Sequence, residues 1–143
     1  MTRLRLGAAL VSLWAGVNLL LALGIVAAMV VLGRSPPSLL LYVTEAERAA
    51  TPAASLALIH ALAVLFNGCA AAFCALVLAA IWKGLVARVR WVFVPVCSTT
   101  AFVQACGFAS DAYLGHRNLA ANVASTLVLA AGLALCATAR DSP

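Results

Sequence analysis

Four stretches of the chain carry no Lys, Arg, Asp or Glu: residues 6–33, 53–82, 91–110 and 118–139. A helix that rises 1.5 Å per residue needs roughly 20 predominantly apolar residues to cross a bilayer core, and each stretch reaches that length. The pattern predicts an all-α protein: an integral membrane bundle of four antiparallel transmembrane helices. The approximate spans are 8–32, 53–82, 91–110 and 118–138, within a single transmembrane domain covering 1–143.

The residues between the spans say where each should stop. Pro36 and Pro37 end the first, because proline supplies no helical amide. Residues 34–52 read as the longest loop. Its apolar patch, Leu39 to Val43, is too short to cross a bilayer and either lies in its surface or folds against the helices. Glu45, Glu47 and Arg48 follow it. Thr51 and Pro52 suit the start of the second span, Thr as a cap and Pro as the first helical residue. Trp82, Lys83, Arg88, Arg90 and Trp91 form a basic turn whose tryptophans read as interfacial anchors. Pro95 is expected to bend the start of the third span, and Asp111 to Arg117 to form a tight turn before the fourth.

The first apolar stretch, behind Arg3 and Arg5, also resembles a secretory signal peptide. It continues to Gly33, well past the usual 7–15-residue signal core, so a retained signal anchor is the expectation. Cleavage between Ala22 and Ala28 would leave three spans.

Composition agrees with a membrane class. Hydrophobic residues make up 66% of the 143 and charged residues 9%, against about 25% charged in a soluble domain whose surface faces water. The net charge of +5 needs no nucleic-acid partner, because the basic residues flank the spans and serve topology. Arg3, Arg5, Lys83, Arg88, Arg90 and Arg140, six in all, fall on one predicted side. Arg34, Arg48 and Arg117, three in all, fall on the other with Glu45, Glu47 and Asp111. The excess predicts a multi-pass protein of the cytoplasmic (inner) membrane with both termini cytoplasmic.

Cys69, Cys74, Cys97, Cys106 and Cys136 all lie in apolar stretches, without CxxC or zinc-site spacing. They read as small core residues, with Cys69 and Cys97 at similar depth as the one geometric exception. Neither a cofactor nor a metal is expected, although Glu45, Glu47 and His116 are conceivable ligands in the outer segments. Gly16, Gly24 and Ala28, then Gly68 and Ala72, leave low ridges that let helices approach closely, within one bundle or between copies.

Candidate function rests on polar groups that are costly to place in lipid. These are Asn18 in the first span, His60 and Asn67 in the second, Ser98, Thr99, Thr100 and Gln104 in the third, and Asp111 at its outer end. The fourth carries Asn118, Asn122, Ser125 and Thr126, most of them on one face. By helical rise, His60, Gln104, Asn122 and Ser125 lie roughly 6–10 Å below the outer surface, and Asn18, Asn67 and residues 98–100 roughly 15–21 Å below it.

Three readings follow. The polar groups hydrogen-bond across helices, in a structural protein that is a homo-oligomer or an assembly partner in a larger membrane complex. Alternatively they line a polar pocket in the outer half of the bundle for a lipid or other small amphiphile. In that pocket His60 is of the side-chain type that titrates near neutrality. The third reading is a small membrane enzyme using His60 as a base oriented by Asp111. In size and span number the chain resembles small multidrug-resistance transporters. Those depend on a glutamate inside the first helix, where this chain has Asn18 and no acid. Disulfide-forming and vitamin K-reducing four-helix proteins use CxxC motifs, and the four-helix glutathione and eicosanoid enzymes use arginine-rich helical patterns. Neither pattern occurs here.

Overall fold

The computed structural model describes residues 3–32, 44–87, 89–113, 115 and 117–140. Every regular element among them is helical: α1 (Arg3–Leu32), α2 (Glu45–Ala50), α3 (Ala53–Ala80), α4 (Phe93–Tyr113) and α5 (Leu119–Arg140). A π-helical segment, Ile81–Leu85, continues α3, and a 3-10 turn, Arg90–Val92, leads into α4. The segments Arg3–Val31, Ala53–Leu85, Phe93–Tyr113 and Leu119–Ala139 are long and apolar enough to cross a membrane.

The ends of these helices depart from the sequence expectations in three places. First, residues 45–50 form α2 rather than loop. Thr44 accepts from the Glu47 amide at 3.2 Å while Glu47 accepts from the Thr44 amide at 2.7 Å, a reciprocal capping box. Second, Thr51 closes α2 instead of capping α3. Its hydroxyl donates back to the Glu47 carbonyl at 2.6 Å, and it is the Pro52 carbonyl that accepts the first bond of α3, from Leu56. Third, α4 runs through Asp111 to Tyr113, which shortens the expected tight turn. Gly115 then reverses the chain at φ 75°, a left-handed geometry that glycine adopts without a Cβ penalty. Pro95 lies in the first turn of α4, where amides have no intrahelical partner to lose. The apolar patch 39–43 and His116 lie outside the described residues.

Residues group into two units, 1–16 with 75–143, and 17–74. Both divisions fall within helices that themselves continue, α1 and α3.

In the first unit, α4 and α5 form an antiparallel hairpin. Its paired residues descend on one helix as they ascend on the other: Asp111 with Asn118, Gly107 with Asn122, Gln104 with Thr126. The N-terminal half of α1 runs antiparallel to α5 in the same sense, with Gly7 against Gly132 and Cys136, Val11 against Gly132, and Trp14 against Ser125. That contact is very close. A Cβ on Gly7 would stand 2.7 Å from the Gly132 carbonyl, and one on Gly132 would stand 2.8 Å from a Val11 methyl. The expected ridges behave differently, since nothing lies within 4 Å of where a Cβ would stand on Gly16, Gly24 or Gly68.

Buried positions follow steps of three and four residues, the spacing of a packed helix seam. Along α1 the series runs Ala8, Val11, Ala15, Ala22, Ile25 and Met29, with Gly7 and Trp14 buried beside it. On α3 and its extension it runs Ala71, Cys74, Val77 and Ile81, followed by buried Gly84 and Leu85, and on α5 Leu129, Gly132 and Cys136. The outward positions are apolar too, including Leu20, Val31, Phe66, Leu76, Phe102 and Leu127, which is consistent with helices that face lipid. All five cysteines are free thiols. Cys74 and Cys136 are core residues as expected, but Cys69 and Cys106 are exposed, so the core reading fails for those two.

Candidate functional site

The polar residues are best followed along each helix, because they fall at the empty steps of the buried seams. On α1, Asn18 lies between Ala15 and Ala22 at the missing step of the three-and-four pattern. On α3, His60, Val64, Asn67, Ala71 and Cys74 continue one such series upward, and His60 and Asn67 are both half-buried. On α4 the series runs Val96, Thr100, Gln104, Gly107, Asp111, and on α5 Asn118, Asn122, Ser125, Leu129. Asn18, His60, Asn67, Gln104, Asp111, Asn118, Asn122 and Ser125 thus continue the spacing of the buried series of their own helices, whereas Ser98 and Thr99 are exposed.

The α4–α5 hairpin holds the most developed polar cluster. The Gln104 amide Nε2 donates to the Thr126 hydroxyl at 2.6 Å and to the Asn122 carbonyl at 3.4 Å. Thr126 in turn donates to that same Asn122 carbonyl at 2.7 Å, so its hydroxyl is used once as donor and once as acceptor. Asn122 Nδ2 reaches across to the Gly107 carbonyl at 3.4 Å, and Gly107 leaves the space for it: a Cβ there would sit 3.6 Å from Asn122 Oδ1. At the turn, the buried Asp111 carboxylate (3% exposed) accepts the Asn118 amide at 2.7 Å. The Asn118 carbonyl accepts the first bond of α5, from Asn122, so Asn118 is the cap residue and Asp111 holds it from the preceding helix. A carboxylate at this end of α5 also complements the positive end of the helix dipole.

A second cross-helix bond joins α1 to α5, Trp14 Nε1 to Ser125 Oγ at 2.8 Å. Trp14 is buried to 3% exposure, and an indole N–H away from water needs such an acceptor.

Asn67, Ser98, Thr99 and Thr100 turn back on their own backbone. Asn67 Nδ2 donates to the Ala63 carbonyl at 2.8 Å. Ser98 and Thr99 donate to the Pro95 carbonyl, and the fully buried Thr100 donates to Val96 at 2.6 Å. This satisfies hydroxyls in an apolar helix without a partner from elsewhere. His60 borders a shallow cleft of about 470 Å³ in the second unit, whose other lining residues are Met29, Ala61, Val64 and Leu65. Within that unit the cleft is apolar apart from the imidazole.

Three participants escaped the sequence reading. Thr126 was visible as a polar residue but not as the partner of Gln104. Gly107 was invisible because its role is to be absent from the path of Asn122. Trp14 carried a legible signal, an indole N–H inside a charge-free stretch, which must find an acceptor. Among the described residues, no three His, Cys, Asp or Glu side chains are grouped to hold a metal. Ser12 Oγ and Asn118 Nδ2 are buried with no hydrogen-bond partner among the described residues.

No protein family, no curated protein and no solved structure matches this chain.

Proposed function

We propose that the chain is an integral protein of the cytoplasmic membrane, a single domain of four antiparallel spans with both termini cytoplasmic. Its role is that of a structural or assembly subunit, in a homo-oligomer or a larger membrane complex. The observation that carries this reading is the placement of the polar residues. Asn18, His60, Asn67, Gln104, Asp111, Asn118, Asn122 and Ser125 occupy seam positions, and the bonds of Gln104, Asn122, Asp111 and Ser125 join one helix to the next. Polar groups so used set helix register, each contributing about 0.6 kcal/mol on average in a membrane. An apolar exterior carrying Leu58, Leu62 and Phe66 on α3 suits lipid and neighbouring helices.

The test combines mass and genetics. Native mass spectrometry of protein extracted in mild detergent should find more than one chain, or a defined partner, in the particle. His60→Gln should leave that particle intact and complement a deletion strain. A monomer, together with loss of complementation in His60→Gln, would sink this reading.

A second reading is favoured by the cleft at Met29, His60, Ala61, Val64 and Leu65. The cleft is open, and its lining suits an amphiphile whose chain lies on Val64 and Leu65 and whose polar head meets His60. A co-purified amphiphile that is lost in His60→Gln but kept in Asn18→Leu would move the conclusion to this alternative.

A further inference from the structure

We draw no further inference here: the strongest candidate, the outward face of α4 on which Ser98, Phe102, Cys106 and Ala109 are all exposed, is an unpartnered helix face, and nothing in the structure shows what covers it.

Discussion

Two residues on opposite neighbours of α5 show which contacts matter most for cohesion. Gln104 meets α5 through a hydrogen bond to Thr126, whereas Gly7 meets it backbone to backbone at Gly132. Replacing Gln104 by Leu removes one interhelical bond, worth about 0.6 kcal/mol on average and at most about 1.7, and Thr126 keeps its bond to Asn122. Replacing Gly132 by Val drives a side chain into Val11 and toward the Gly7 carbonyl, where nothing flexible can yield. Overpacking of this kind costs about 1–3 kcal/mol. Thermal unfolding in detergent should therefore place Gly132→Val below Gln104→Leu, with both below wild type. The reverse order would mean that α1 and α5 are not in close contact. The glycines that looked most important by spacing, Gly16, Gly24 and Gly68, have open space beside them and should tolerate alanine in the isolated chain.

At the scale of elements, the α4–α5 hairpin is held in register from the Gly115 turn inward, by Asp111 with Asn118, Gly107 with Asn122, and Gln104 with Thr126. The steps on each helix are three or four residues, so the same faces stay together along the seam. Gly107→Cys combined with Asn122→Cys, in a background lacking the native cysteines, should cross-link readily on oxidation, because a Cβ at 107 stands 3.6 Å from the side-chain oxygen of Asn122. Gly107→Cys with Leu119→Cys should not, since Leu119 is exposed away from the seam. Efficient linking of the second pair and not the first would refute the register. The short helix α2 makes a contrasting point. It has no buried residue, and its order comes from the Thr44–Glu47 capping box and the Thr51 closure. That makes it an element specified by local hydrogen bonds rather than by packing.

For the whole molecule, the prediction concerns sidedness. Four helices of membrane length suit a multi-pass protein, and the distribution of six basic residues against three leads to the proposal that both termini and the basic turn face the cytoplasm. Single cysteines introduced at residues 45 and 114, in a cysteine-free background, should react with an impermeant maleimide in intact cells. Those at residues 86 and 141 should react only after permeabilisation. Labelling of residue 86 from outside would invert the topology.

The sequence by itself determined that the chain is built of four long apolar helices, because about 20 consecutive residues without charge satisfy their backbone only as helix in an apolar medium. It also determined which polar side chains share a face within each helix, since 3.6 residues per turn fixes that locally. The Thr-x-x-Glu pattern of Thr44 and Glu47 stands in the sequence, but reading residues 34–52 as loop passed over it. What only the tertiary structure decided is how helices are rotated and shifted against one another. Spacing within one helix contains no such information, so the sequence could group Gln104 with Asn122 by depth but could not pair it with Thr126. Nor could it distinguish Asn122, which reaches another helix, from Asn67 and Thr100, which bond to their own. Glycine is the extreme case. Its contribution is the approach of a neighbour, so Gly7 and Gly132 acquire meaning only once their helices cross.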